Sequence, residues 1–497
     1  MANQNISFDA EYDLVVIGGG GSGKSAALTA VQGGLRVALL EKMAETGGSS
    51  IYAEGTCAFE SSEQKERKVP PKAGELNQKH YPSREEGFRR YIDYSHHRAN
   101  PEVVRMFVDN SAETIDIMKS LGVKYTDVTI YAYDQPLEVN SFHRPDGLGE
   151  RVQQLLLRAC INAGVDIFTS TPAKKILMKD GAVAGVQALD SKGNTMNIGA
   201  KAVILASGGF GNNPEMVKKY AWQHRVADYT YQCVPTQNTG DGLKMTLEVG
   251  ADTDSIGALM VIPCARSKTL TSHSSGAGSQ PVLWVNKTGR RFASEEVAMS
   301  FADAGNTMAK QPEGVVYAIF DADTVKHLME EGSDIGLGDF IEYKQKLIRL
   351  QAELDQDVAE GIAWKGDTIE ELAKNIGLDP AVLANTVAEY NDACEKGYDP
   401  LFYKPARFLR PVAKAPFYAV NMAPSVLVSC GGIRVNGNLQ VTDKDYKPIP
   451  GLYAVGMEAS GLYGDTYNLD CPGTANGFAH TSGRVAARHV IKTLKGE

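Results

Sequence analysis

Between Asp13 and Lys42 the chain runs through an apolar stretch (Leu14 to Ile17) into Gly18, Gly20 and Gly23 with GxGxxG spacing. An apolar-periodic segment (Ala26, Ala27, Ala30, Val31), Gly33-Gly34 and a second apolar run (Val37 to Leu40) follow, and that run ends on Glu41. This order predicts strand, tight turn, helix, strand, the βαβ unit that binds dinucleotides. Each glycine has its own reason: Gly18 allows the turn, Gly20 lets the backbone approach a pyrophosphate, and Gly23 lets helix and strand pack closely. The helix then starts with N–H groups facing the phosphates. Glu41, 18 residues past Gly23, is placed to take both hydroxyls of an adenosine ribose, which implies FAD or NAD rather than NADP. Gly18 and Gly23 with Lys24-Ser25 also satisfy GxxxxGK[ST] literally, so a phosphate-binding NTPase loop stands as a rival.

The 497 residues suggest two to four domains. A formal charge of -9 and a pI near 5.6 make nucleic acid or an anionic membrane a poor partner. Seven scattered cysteines with no CxxC disfavour a disulfide scaffold, a c-type haem and a cysteine-bound cluster. No apolar run is long enough to span a membrane, and residues 1–11 lack a basic start and an apolar stretch, so a cytoplasmic protein is expected. No metal site is expected: the adjacent His96 and His97 cannot share one helix face.

Farther along, Glu45-Thr-Gly47-Gly48-Ser49-Ser50 is a glycine and hydroxyl loop past the acid-tipped strand. Ser61 to Gly87, polar and containing Pro70-Pro71, reads as a surface excursion. Asn100 to Leu121 and Gly149 to Ala163 are helical in pattern, and Lys175 to Gly199 alternates like a meander. Lys201 to Phe210 is a buried strand ending in paired glycines, and Asn238-Thr-Gly-Asp241-Gly opens a helix. Residues 312–400 are mostly helical, with a capping box at Asp367-Thr-Ile-Glu370 and an N-cap at Asp379-Pro380.

Four separated segments then match one pattern: Val16-Ile-Gly-Gly-Gly-Gly with Glu41-Lys42, Ala206-Ser-Gly-Gly-Phe210, Thr239-Gly-Asp-Gly242, and Gly451-Leu-Tyr-Ala-Val-Gly-Met-Glu458. Together they resemble the flavoprotein family of fumarate reductases, succinate dehydrogenase flavoprotein subunits and 3-ketosteroid dehydrogenases. The resemblance implies an α/β fold: a discontinuous Rossmann-like FAD-binding domain (8–257 and 411–497) with an inserted α+β capping domain (258–410). It assigns FAD contacts to Gly18, Gly20, Ser22, Gly23, Glu41, Lys42, Gly47, Gly48, Ser49, Ser50, Ala206, Ser207, Gly208, Asp241, Gly456, Glu458, Gly473 and Ala475. Gly456 and Glu458 are implied to meet the ribityl and pyrophosphate, and the helix after Gly473 to point its N-terminus at the flavin. FAD attachment is implied to be noncovalent, since no histidine precedes the Gly47-Gly48 loop where covalent members carry one.

The departures point to function. Fumarate reductases carry an arginine seven residues after the Phe of their Gly-x-Arg-Phe motif; counting from Phe292 here reaches Met299. Where they hold a carboxylate with a His and an Arg, this chain reads Val428-Ser-Cys-Gly-Gly and Tyr463 to Gly473. A dianion there would lose hydration without gaining a counter-charge. Fumarate is therefore not the expected substrate; the resemblance to ketosteroid dehydrogenases, which also carry tyrosines in this loop, implies instead a small, cyclic, largely apolar unsaturated or hydroxylated molecule of polyphenol or steroid type. Tyr463, Tyr467 or Arg291 is the candidate proton carrier, with Arg291 also readable as a structural partner of Glu295, and His143 as a further lining residue. The electron donor is left between NADH acting through a partner and reduced flavin. Two alternatives stand beside this reading: an electron-relay subunit of a succinate dehydrogenase-like complex, and a C=C reductase for a small carboxylate.

Overall fold

The computed structural model describes residues 6–67, 82–128, 141–221, 236–338 and 340–497; Pro70-Pro71 of the expected surface excursion lie outside them. Leu14, Val15, Val16 and Ile17 are all buried, as a strand covered on both faces requires. That strand, Ala10–Ile17, sits inside an eight-stranded sheet, parallel to Val37–Leu40 on one side and to Thr195–Leu205 on the other. Asp166–Phe168 extends the sheet beyond Val37–Leu40, and Pro448–Ala454 extends it beyond Thr195–Leu205, so the C-terminal region returns to the first βαβ unit. The predicted meander is present as Ala173–Lys179, Ala182–Leu189 and Thr195–Leu205. Helices Gly21–Gln32 and Thr474–Lys495 pack together against this sheet.

The insertion has its own antiparallel sheet, ordered Leu259–Ala265, Phe417–Ser429, Val316–Asp321, Leu283–Asn286, with Ala363–Gly366 also paired to Phe417–Ser429. Separate apolar clusters, one around Trp284, Phe320 and Tyr418 and one around Leu383, Tyr390 and Phe417, cover its two faces. Two details differ from the sequence reading. Phe417–Ser429 is a strand of the inserted sheet, so a return to the first unit at residue 411 falls too early. Composition does not register this, because an apolar strand reads alike in either sheet. The helix start also sits one residue later and is not a capping box: Thr368 is the N-cap, accepting from the Glu371 N–H, while Glu371 accepts from the N–H of Asp367, the residue before the cap. Asp379-Pro380 caps as expected, the Asp379 carboxylate accepting from Ala381 and Val382.

The chain passes between the units along one ribbon. Thr253–Asp254 pairs with Gly432–Ile433 on one side of the crossing, and Leu259 pairs with Ser429 on the other. Between them the Cys430 N–H donates to the Ala258 carbonyl at 2.8 Å. A Cβ on Gly431 would stand 1.7 Å from the Ser255 carbonyl oxygen, so the two passages touch.

Candidate active site

The glycine turn opens onto a cleft lined by Gly18, Gly20, Ser22, Glu41, Lys42, Gly48, Ser49, Ser50, Ala206, Ser207, Gly208 and Asp241. The three motif glycines divide as their spacing suggests. Gly18 has φ +110° and a Cβ there would meet the Ala206 carbonyl oxygen at 2.4 Å; a Cβ on Gly23 would meet the Gly18 carbonyl oxygen at 1.8 Å. Both are required by the protein's own packing. A Cβ on Gly20 meets nothing closer than the Gly47 carbonyl oxygen at 3.8 Å, so protein atoms do not explain that glycine. Gly20 lines the cleft, and its lack of a side chain leaves room for a ligand, which is the fit a pyrophosphate requires.

Glu41 is fixed by two backbone donors, Gly19 N–H to Oε2 and Met43 N–H to Oε1, both at 2.8 Å, and its remaining lone pairs suit ribose hydroxyls. Lys42 crosses the mouth of the cleft, its Nζ 2.7 Å from both Thr239 Oγ1 and Asp241 Oδ2. Lys24 is 1% exposed, donates to the Gln153 carbonyl at 3.2 Å, and does not line the cleft. Burial lowers its pKa to about 8. A phosphate-loop lysine would project into the cleft, so the NTPase reading fails. Glu458 is also turned away from the cleft: it accepts from Ser207 Oγ and from the Gly209 N–H beneath the paired glycines, and burial raises its pKa. Met457 lines the cleft in its place. Gly23, Gly47 and Gly456 likewise stand behind the lining. Thr171, Pro172, Ala173 and Gln237 complete the cleft without any sequence motif to announce them.

A second cavity adjoins the first, sharing Ser49, Ser50, Met457 and Ala479 with it. Its walls are mostly apolar: Phe142 and Leu469 from the first unit, and Met260, Ile262, Phe301, Phe340, Leu427 and Val428 from the inserted one. The helix Thr474–Lys495 begins at its floor, with Gly473 and Ala475 both in the lining. That end of a helix favours negative charge. Tyr467 is in the lining, and its hydroxyl accepts from the Ala475 N–H at 3.1 Å. Burial raises the Tyr467 pKa above its ordinary value, so the phenol keeps its proton at neutral pH. Tyr463 stacks on Tyr467 at 5.1 Å between ring centroids but does not reach the cavity.

Arg291 does not reach it either, which corrects its place among the proton carriers. Its guanidinium is bound by Glu295 at 2.9 Å and Asp399 at 2.8 Å, inside the inserted unit, with 4% of the side chain exposed. His143 is a buried packing residue, its Nε2 2.6 Å from Ser61 Oγ and its Nδ1 3.1 Å from the Thr56 and Ser141 carbonyls. His480, for which the sequence offers no signal, is buried beside Gly21 with Nδ1 2.8 Å from Ser25 Oγ. Among the described lining residues of the second cavity, Glu54 is the one with a charged side chain, and sequence reasoning missed it.

The two histidines give a pH prediction. Burial lowers His143 to about 4 and His480 to about 3, against roughly 6.5 in an unfolded chain. Between those values the unfolded chain binds more protons than the folded one. Their contribution to stability is therefore full above about pH 6.5 and declines as the pH falls toward 4. Urea midpoints measured across that window should fall with pH, and His143→Gln should reduce the slope; an unchanged slope in the variant would remove His143 from the account.

A family model described as FAD binding domain matches residues 13–471. Vinyl phenol reductase of Lactiplantibacillus plantarum is 35% identical over 497 aligned residues, spanning 97% of this chain and 96% of that protein. The open conformation of a flavocytochrome c3 fumarate reductase is 27% identical, with a TM-score of 0.73 over 97% of this chain and 79% of that one. The 3-ketosteroid delta1-dehydrogenase of Sterolibacterium denitrificans, solved with 1,4-androstadiene-3,17-dione, is alike in fold: 20% identity and a TM-score of 0.79, over 97% of this chain and 100% of that one.

Proposed function

The chain belongs to the FAD binding domain family of oxidoreductases, and on that footing we propose that it reduces the C=C bond of a neutral, cyclic, polyphenol-type substrate, a vinyl phenol being the best fit. It is an FAD-dependent oxidoreductase acting on CH–CH or C=C bonds. FAD, when bound, supplies the hydride chemistry. The chain's own residues supply position, dryness and a proton. Gly18, Gly20 and Ser22 would cradle the phosphates and Glu41 would hold the ribose, while the apolar walls of the second cavity would exclude water around the substrate. Tyr467 is the proton donor, its oxygen held by the Ala475 N–H so that its own O–H is directed elsewhere. The observation that carries this reading is the lining: aromatic and aliphatic side chains with no Lys, Arg or His among the described residues. A fumarate dianion would find no counter-charge there.

Noncovalent attachment of FAD is supported by the absence of histidine and cysteine from the described lining of both cavities. Acid precipitation should leave free FAD in the supernatant, and a yellow pellet would contradict this. Among the described residues no helix is long and apolar enough to cross a membrane. The scattered cysteines support a reducing, cytoplasmic setting. Reduced flavin, or NADH through a partner, is the donor.

The test is reoxidation of the viologen-reduced holoenzyme. Turnover with 4-vinylphenol and none with fumarate is expected; the reverse order would overturn the proposal. Tyr467→Phe should slow that turnover by about tenfold or more, the low end for a positioned proton donor. Tyr463→Phe, which removes a hydroxyl outside the cavity, should leave it near wild type. Equal rates in wild type and Tyr467→Phe would take the phenol out of the proton transfer.

A further inference from the structure

We propose that Asn476 sets the specificity of the second cavity, its side-chain oxygen accepting the O–H of the substrate and so selecting a free phenol over the same ring without a donor. The inference deepens the aromatic-substrate reading above and rests on it. Asn476 is the third residue of the helix Thr474–Lys495. Ala475, Asn476 and Ala479 all line the cavity, as i, i+3 and i+4 spacing on one helix face allows. This first turn is pressed against the strand Thr56–Cys57: a Cβ on Gly477 would stand 2.4 Å from the Cys57 carbonyl oxygen, and one on Gly473 2.9 Å from the Cys57 nitrogen. The side-chain nitrogen of Asn476 donates to the Gly55 carbonyl at 3.3 Å and to Thr56 Oγ1 at 2.9 Å. A carbonyl only accepts, so turning the amide over would set its oxygen against the Gly55 oxygen, and the observed orientation is fixed.

That orientation leaves Oδ1 as an acceptor with no hydrogen-bond partner, in a residue 9% exposed. No other side-chain nitrogen or oxygen in the described lining is both buried and unpaired. An acceptor recessed among apolar walls has lost its water and gained nothing in exchange until a donor arrives. A phenol O–H is such a donor. Tyr467, held by the Ala475 N–H at the same helix start, directs an O–H toward the ligand, so the cavity floor presents one donor and one acceptor in opposite roles. A ring that lacks the hydroxyl leaves Oδ1 buried and unpaired. Sites built to bond a hydroxyl reject the analogue without it for this reason.

The experiment uses oxidised holoenzyme and two rings of similar size, 4-ethylphenol and 1-ethyl-4-fluorobenzene, with dissociation constants read from the perturbed flavin absorbance. Wild type should bind the phenol at least about tenfold tighter. Asn476→Ala should shrink that ratio by about tenfold, chiefly by weaker binding of the phenol. Thr56→Val, which cuts one bond of the amide nitrogen and leaves the oxygen in place, should keep most of it. An unchanged ratio in Asn476→Ala, or an equal fall in Thr56→Val, would overturn the proposal and reduce Asn476 to a tether of the helix start. So would an Asn476→Ala that holds FAD more weakly at an unchanged ratio, since the oxygen would then answer to the flavin. Should Asn476→Ala retain no flavin, Asn476→Asp takes its place: an acceptor remains, the preference should remain with it, and a collapsed ratio overturns the proposal. If neither ligand perturbs the wild-type flavin, the aromatic-substrate reading fails and takes this inference with it, an outcome distinct from an unchanged ratio.

Discussion

Gly20→Val is expected to give a folded but colourless protein. Gly20 caps the helix Gly21–Gln32 with φ −76° and ψ −170°, an extended conformation that any residue adopts. The fold leaves space for a β-carbon there, as the 3.8 Å distance to Gly47 indicates. The branched side chain would instead occupy the room that a pyrophosphate needs, and FAD affinity should fall by at least about a hundredfold, about 2.7 kcal/mol. Fluorescence titration of apoprotein with FAD measures the loss, and thermal unfolding of the apoprotein serves as the control. Gly23→Ala should behave oppositely, since its β-carbon would collide with the Gly18 carbonyl and damage the fold itself. Wild-type flavin content in purified Gly20→Val would mean that the cleft does not hold the phosphates at this turn.

Arg291→Ala should destabilise the protein by about 3–5 kcal/mol, the range for leaving buried charges without their partner. The side chains of Arg291, Glu295, Asp399 and Lys404 are 4%, 0%, 1% and 0% exposed, and the guanidinium makes two contacts to each carboxylate. Lys404 also reaches Glu295 at 3.3 Å, but its point charge cannot replace a planar fork between two carboxylates. Urea unfolding reads the effect. A variant with wild-type stability and impaired turnover would restore Arg291 to the chemistry and contradict its placement away from the cavity.

These two positions mark where sequence reasoning succeeds and where it stops. The glycine turn was legible because its spacing is a local pattern: Gly23 answers to the Gly18 carbonyl of the same turn and Gly20 to the open cleft, although Gly18 also presses on the distant Ala206. Asp379-Pro380 was legible for the same reason. Arg291 sits four residues from Glu295, a spacing the sequence does display, yet Asp399 and Lys404 lie more than a hundred positions away and decide which way the guanidinium turns. Glu458 falls in the segment the resemblance pointed to, but Ser207 and Gly209 capture its carboxylate behind the cleft. Glu54, Met457 and the Thr171–Ala173 corner reach their cavities only through long-range pairing, and no local pattern sets them apart. Thr368 and Asp367 are both competent caps, and only the position of the Glu371 N–H chooses between them.

The paired passage between the units has a mechanical consequence. Because outgoing and returning chains lie side by side, bonded at Cys430 and pressed together at Gly431, the lid is joined to its base by a single strap and not by two separated struts. Twisting that strap leaves its ladder intact, whereas sliding one chain along the other would break the register at both ends. Rotation is therefore the inexpensive motion, and it would swing Phe340 on an arc over the second cavity.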